Sequence, residues 1–496
     1  MVFHIIIGFI VNFKNLIDNM KREYIALILI IIFGCAVTYY PHINYPYPLH
    51  VDEWVHITYA KDIAQNHEIP SRDPFTKKFE VKTDLEIGYH LLLGEIEIIT
   101  DIDVIYLKFI PVFFFIVSAL CVFIFARRFG SEVGLLSVLF LSLIPTNVTI
   151  LGPSFFVPVN PGFIFIPLGL FLAYRLVENE GNEFKYYFSI FVVSGFMLFA
   201  HPPTAIALFL ILFVFAVLNF KEHREKSLLL MVSVGCAIIV SIPNFYPILV
   251  KSGVANLQWS KSYISDIFEL PGLFGYIQII LFVIGFYFLL LSGKKKNLIL
   301  PFSIVILLVD LFIYANYDWI LFFPFGRIYM YLMLLMSIIA AYGLVKIKDV
   351  SFDFFNSKKI SYLILILILV TAIFISVQQH KGISDQRMYH IANDNDYMNF
   401  VWIKENSAET EIVLADPWKA KALIPIAERR VVSIVPPGPN PKYTIVNNQI
   451  FNFFNNKCND TEFLVVNNVS IVYSPVVCEN DNLIEIKDKI YRVVIS

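Results

Sequence analysis

Leu49-His50-Val51-Asp52-Glu53-Trp54-Val55-His56-Ile57-Thr58-Tyr59-Ala60 lies between two apolar runs, 24–40 and 104–126. A polar insertion of this length, 41–103, inside an otherwise apolar chain decides the fold class. Upstream stands Leu27-Ile28-Leu29-Ile30-Ile31-Ile32-Phe33, with no charge from Tyr24 to Tyr40. About 20 helical residues cross a bilayer core of roughly 30 Å. Hydrophobic residues make up 57% of the 496 and mean hydropathy is +0.69, which excludes an ordinary soluble globule.

Working outward, the apolar stretches are 24–40, 104–126, 133–150, 155–176, 186–201, 203–220, 227–250, 273–292, 298–316, 327–345 and 360–377, eleven in all. Their uninterrupted character fits helices and not the alternating strands of a barrel. With a cytoplasmic N-terminus, eleven crossings put Arg127-Arg128, Arg175, Lys185, Lys221, Arg224, Lys226, Lys294-Lys295-Lys296, Lys346, Lys348 and Lys358-Lys359 inside. The short loops on the other side hold little beyond Lys251, Lys261 and Arg327, as the positive-inside rule requires. An odd count places the C-terminal segment outside. The expected architecture is therefore a polytopic α-helical membrane protein of about 11 transmembrane helices, N-in and C-out, in the cell membrane. A transmembrane domain spans 1–380, its outer loop 41–103 carries the acidic motif, and an extracytoplasmic α/β domain spans 381–496. Met1 to Phe13 is apolar but too short to span, and reads as an interfacial helix or a misplaced start.

After Val377 the composition becomes that of a soluble domain. Helices are expected over Asp396–Lys404 and Lys419–Ala427. Strands are expected at Glu411–Ala415, Arg430–Val435, Phe463–Asn467, Ile471–Ser474 and Tyr491–Ile495. Cys458 and Cys478 fall in this segment, where a disulfide is one of two open outcomes. Asn459 and Asn468 begin glycosylation sequons. The net charge of −2 carries no basic patch that points to nucleic acid.

Chemistry-bearing residues cluster in the first loop. Trp54, Ile57, Ala60, Ile63 and Ala64 recur at helical spacing, so Asp52 falls near a helix N-terminus. It reads either as the N-cap of that helix or as a general base in a partly dehydrated cleft, and the two roles are compatible. Asp52 and Glu53 together could also hold a divalent cation. His50, His56 and His90 are their candidate partners. Arg327 opens the tenth span, where a guanidinium needs an anion, either a substrate phosphate or a lipid headgroup. Tyr329 follows it. His201-Pro202-Pro203 makes a tight turn that faces the same cavity as Asp52. Prolines near 153–161 break the start of the fourth span, a break tolerated at that depth where it lines a polar cavity.

This combination resembles the GT-C superfamily of polyprenyl-linked glycosyltransferases, and distantly the catalytic subunit of archaeal oligosaccharyltransferase. The shared features are an acidic motif just after the first span, an odd number of spans and an outer C-terminal domain. The resemblance implies Asp52, and Glu53 with it, as catalytic and Arg327 on the lipid phosphate; His56, His90, His201 and Tyr329 are added as substrate-binding candidates from their own placement. It implies a polyprenyl-phosphate-linked sugar and a glycan or lipid acceptor as partners. Oligosaccharyltransferases carry a second acidic metal-binding motif, but 151–160 holds no acid here. That leaves metal dependence open and points toward a metal-independent inverting transferase. A polyprenyl-lipid flippase or a non-catalytic membrane scaffold are the alternatives.

Overall fold

A computed structural model describes residues 22–77, 84–147, 150–178, 181, 183–252, 270–317, 319, 321–322, 327–379, 389–436 and 441–494. The side chains of 247–252, 296, 327, 377–379, 441 and 442 are not described. The N-terminal run Met1 to Phe13 lies outside the described residues.

Long apolar sequence makes helices here because a backbone buried in hydrocarbon has to satisfy its own hydrogen bonds. The helices of the apolar stretches are α1 (Arg22–Tyr39), α4 (Ile110–Ala126), α5 (Ser131–Ser142), α6 (Gly162–Glu178), α7 (Phe184–Ala200), α8 (Pro202–Asn219), α9 (Arg224–Ser252), α11 (Tyr276–Leu291), α12 (Lys295–Tyr317), α13 (Arg327–Phe355) and α14 (Lys358–Gln379). The short α10 (Leu270–Phe274) precedes α11. Among the described residues, seven helices are long and apolar enough to cross a membrane, and Ser131–Ser142, Phe184–Ala200 and Tyr276–Leu291 are shorter apolar helices. The chain is a multi-pass membrane protein.

Two stretches differ from expectation. The helix expected over 133–150 stops at Ser142, and the one expected from 155 starts at Gly162. Pro145, Pro153, Pro158 and Pro161 remove backbone donors between them. Within that interval, 150–161 is buried throughout. Its polar groups are met by side chains: Thr146 Oγ1 accepts from Ser154 N at 3.1 Å, and Asn160 Nδ2 donates to Gly152 O at 3.2 Å.

α13 runs through the middle of the bundle. From Ile328 to Met336 no residue exposes more than 1% of its surface, as befits a helix apolar on every side. α14 is the opposite case, with Leu363, Leu367 and Phe374 each at least 65% exposed and therefore facing lipid. α11 and α13 cross backbone to backbone. A Cβ at Gly285 would lie 2.0 Å from Ile339 O, and one at Gly343 would lie 2.1 Å from Leu281 O. Small residues at such a crossing let van der Waals contact replace the hydrophobic drive that lipid cannot supply.

The first loop folds into α2 (Val51–Asn66) and α3 (Ile87–Thr100), which pack on each other. The C-terminal region holds α15 (Asp394–Asn406), β1 (Ile412–Leu414), α16 (Ala420–Ala427), β2 (Arg430–Val431), α17 (Pro441–Asn455), α18 (Thr461–Val466), β3 (Val469–Tyr473), β4 (Leu483–Lys487) and β5 (Ile490–Val493). Its sheet has the order β2-β1-β3-β5-β4. β1 pairs in parallel with β2 and β3, and β5 pairs antiparallel with β3 and β4. The strand expected at Phe463–Asn467 is instead the helix α18, because Asp460 accepts from Phe463 N at 3.0 Å and caps it. α17 and β4 were not anticipated from the sequence. Cys458 and Cys478 are joined in a disulfide with Cα atoms 5.1 Å apart.

The loop and the C-terminal region are stitched together. Tyr45 Oη donates to Ala392 O at 2.8 Å, Tyr47 Oη to Asp394 Oδ1 at 2.9 Å, and His390 N to Leu49 O at 3.2 Å. Val51, Trp54, Val55 and Ile57 share one apolar cluster with Ala420, Leu423 and Ile424, so α16 lies directly against α2.

Gly343→Val should force α11 and α13 apart and destabilise the bundle by about 1–3 kcal/mol, the usual range for overpacking. Thermal unfolding in detergent checks this; an unchanged midpoint would mean the crossing is not close.

Candidate functional site

The sequence His50-Val51-Asp52-Glu53 builds the head of α2. His50, not Asp52, is the N-cap: its Nδ1 accepts from Asp52 N at 3.2 Å, and Glu53 Oε2 accepts in return from His50 N at 2.8 Å. This reciprocal arrangement is a capping box with histidine in the usual serine place. It corrects the expectation of an Asp52 cap, because the His50 ring already reaches that amide. Asp52 is thereby not needed as the cap. Its side chain is 31% exposed, with Oδ2 3.5 Å from His50 Nδ1.

Glu53 differs from its neighbour in every respect. It is fully buried. Its second oxygen, Oε1, accepts from Phe156 N at 2.8 Å, so one carboxyl ties α2 to the non-helical 150–161 segment. Burial pushes this carboxyl up to about 8, against the pull of the amide N–H groups of His50 and Phe156.

One turn along α2, His56 lies on the same face as Asp52, four residues on. Its ring Nδ1 stands 2.9 Å from His90 Nε2 and 3.9 Å from Glu86 Oε2. Burial, and after it the neighbouring His90, push the His56 imidazole well below its ordinary value, so it is neutral. His90 Nδ1 is 2.5 Å from Asp84 Oδ2. Glu86 Oε1 lies 4.0 Å from His201 Nε2. His201 caps α8 and its Nδ1 sits 2.7 Å from Thr204 Oγ1, which in turn is 2.7 Å from Tyr331 Oη on α13. This chain of contacts links the Asp52 helix to the first turns of α13 at one end of the bundle. Arg327 is the first residue of α13, but its side chain lies outside the described residues, as do 323–326. Tyr329 is fully buried within the bundle.

The ligand atoms of His56, Glu86 and His90 all lie within 4.8 Å of one another. Two imidazole nitrogens on one tetrahedral zinc stand ~3.3–3.4 Å apart, given Zn–N bonds of about 2.0–2.1 Å. His56 Nδ1 and His90 Nε2, 2.9 Å apart, stand at hydrogen-bond distance and would have to part slightly to share an ion. Asp84 on the far nitrogen of His90 is the outer carboxylate that commonly orients a ligating imidazole. The donor types, two imidazoles and a carboxylate, are ones a zinc-like ion takes. Glu86 was not singled out from the sequence. Its signal was the four-residue spacing to His90, which places both on one helical face.

With this geometry in hand, comparison with known proteins identifies the architecture. A dolichyl-phosphate-mannose-protein mannosyltransferase family model matches residues 97–246. The oligosaccharyltransferase of Archaeoglobus fulgidus, tethered with an acceptor peptide containing the NVT sequon, superposes with a TM-score of 0.60 at 12% identity, covering 91% of this chain and 69% of that one. The same enzyme in complex with Zn and sulfate gives 0.58 at 14% identity over 89% and 67%. ArnT from Cupriavidus metallidurans bound to undecaprenyl phosphate gives 0.59 at 10% identity over 91% and 96%. The chain has the GT-C fold. No curated protein matches it in sequence. Asp52-Glu53 follows the first long apolar helix, and the sheet-containing region follows the last.

Glu53→Ala should leave the His50 and Phe156 amides unsatisfied and cost about 2–4 kcal/mol, lowering the thermal midpoint in detergent. A midpoint equal to wild type would show the clamp to be idle. Zinc at micromolar concentration should raise the midpoint of the metal-stripped wild type and leave His90→Ala unmoved; equal shifts would place the ion elsewhere.

Proposed function

We propose that this chain is an integral-membrane glycosyltransferase moving a sugar from a polyprenyl-phosphate donor to a glycan or lipid acceptor. The observation that carries the proposal is the partition of the acidic pair. Glu53 is spent on backbone amides, while Asp52 keeps an accessible carboxylate at the seam between the bundle and the C-terminal region. The fold shared with a transferase that binds undecaprenyl phosphate supports a lipid-linked donor.

In this reading the donor enters between helices and Arg327 holds its phosphate. Asp52 takes the proton from an acceptor hydroxyl. The hydroxyl oxygen bonds to the anomeric carbon as the bond from that carbon to the phosphate oxygen breaks, and the electron pair leaves with the phosphate. One displacement inverts configuration, and positioning with charge compensation supplies most of the acceleration. Glu53 acts as a positioning residue. An ion held by His56, Glu86 and His90 would offer a Lewis acid for phosphate oxygens. The proposed topology is eleven crossings with the N-terminus inside, a transmembrane domain over 1–380, and residues 381–496 as an extracytoplasmic domain that selects the acceptor.

Asp52→Asn, nearly isosteric, should lower turnover of radiolabelled polyprenyl-phosphate sugars by about a hundredfold or more while expression and thermal midpoint hold. Unchanged turnover would remove Asp52 from the reaction. Arg327→Ala should chiefly weaken donor binding, and an unaltered donor affinity would exclude that role. Lipid scrambling in liposomes without sugar transfer would favour a flippase instead.

A further inference from the structure

α16 is the element of the C-terminal region that covers α2, and every one of its eight residues, Ala420–Ala427, is buried. Seven of these are apolar, and the eighth is Lys421, which exposes only 1% of its surface. Neighbouring lysines each have a carboxylate. Lys419 Nζ is 2.6 Å from Asp396 Oδ1, Lys404 Nζ is 2.6 Å from Glu428 Oε1, and Lys61 Nζ is 3.5 Å from that same oxygen. Lys421 has no ion pair or side-chain hydrogen bond among the described residues. Its Nζ stands 5.8 Å from the centre of the Trp418 ring. Its flanking residues Ala420 and Ala422 pack in the cluster that contains Val51, Trp54 and Val55, the helix turn carrying Asp52. Burial lowers the Lys421 ammonium below its ordinary value, and the charge it feels in opposition is that of Asp52.

A buried ammonium whose opposing charge, that of Asp52, lies beyond ion-pair distance carries an uncompensated desolvation cost. Apolar packing alone would favour methionine or leucine at this position. The side chain makes physical sense when an anion arrives beside Asp52 and completes its coordination. A lysine can also discharge while it waits, which an arginine cannot.

We infer that Lys421 is a phosphate-binding residue of the Asp52 site, so that the C-terminal region supplies one wall of the pocket for a phosphate ester. This rests on the transferase reading above, but binding can be measured without turnover.

The test uses the full chain in detergent, with decaprenyl phosphate and, separately, inorganic phosphate as probes. Affinity is followed by calorimetry and thermal shift in wild type, Lys421→Met and Lys421→Arg. Lys421→Met should bind decaprenyl phosphate at least roughly tenfold more weakly, and Lys421→Arg within about threefold of wild type. Without ligand, the midpoint of Lys421→Met should equal or exceed wild type, which separates lost binding from lost folding. Protection of wild type by both probes assigns the site to the phosphate group itself, and protection by decaprenyl phosphate alone assigns it to the lipid-linked form. Equal affinity in wild type and Lys421→Met, or no binding of either probe by wild type, would overturn the inference. Binding lost in Lys421→Met, with no sugar transfer by wild type, would keep Lys421 and overturn the reaction assigned to Asp52.

Discussion

One buried carboxyl joins the two halves of the candidate site. Glu53 sits in an apolar surround and accepts from the amides of His50 and Phe156. The first contact closes the head of α2, and the second fixes that head against a stretch of backbone that is neither helix nor strand. An amide left unmet at that depth costs as much as a lost hydrogen bond, and water is not there to replace it. The position of Asp52 therefore depends on its neighbour. Asp52 keeps part of its side chain accessible because Glu53 and His50 have already satisfied the helix terminus.

The bundle supplies a frame for this clamp. α13 is buried on every face, and the glycine crossing with α11 lets it run close to its neighbour. Its first turns reach the site through Tyr331, Thr204 and His201. The proline-rich interval between α5 and α6 would be untenable facing lipid. It survives because it is buried in protein and its polar groups find partners in Thr146, Asn160 and Glu53. A helical interval there would have hydrogen-bonded its own amides and left the Glu53 carboxyl without that contact.

Above α2, the C-terminal region is bound tightly enough to take part in the site. Its contacts with the first loop are hydrogen bonds from Tyr45, Tyr47 and His390 together with a shared apolar cluster. A region that only carried an acceptor would not need to bury a lysine against the Asp52 helix. The proposed wall around a phosphate follows from that burial together with the pairing of the surrounding cations.

The sequence by itself determined what depends on local periodicity and on transfer of apolar surface. These are the multi-pass helices, the acidic insertion after the first of them, the helix bearing Asp52, and the soluble character beyond Val377. Helix propensity and hydropathy are properties of consecutive residues, so they survive without a structure. Tertiary structure alone decided which member of Asp52-Glu53 stays accessible, because that depends on the Phe156 amide more than a hundred residues away. It also decided that Glu86 and His90 meet His56, that Lys421 is buried against α2, and that Asp460 turns an apolar run into α18 instead of a strand. Burial and distance arise only when separate segments compete for the same volume, and no local pattern records the outcome.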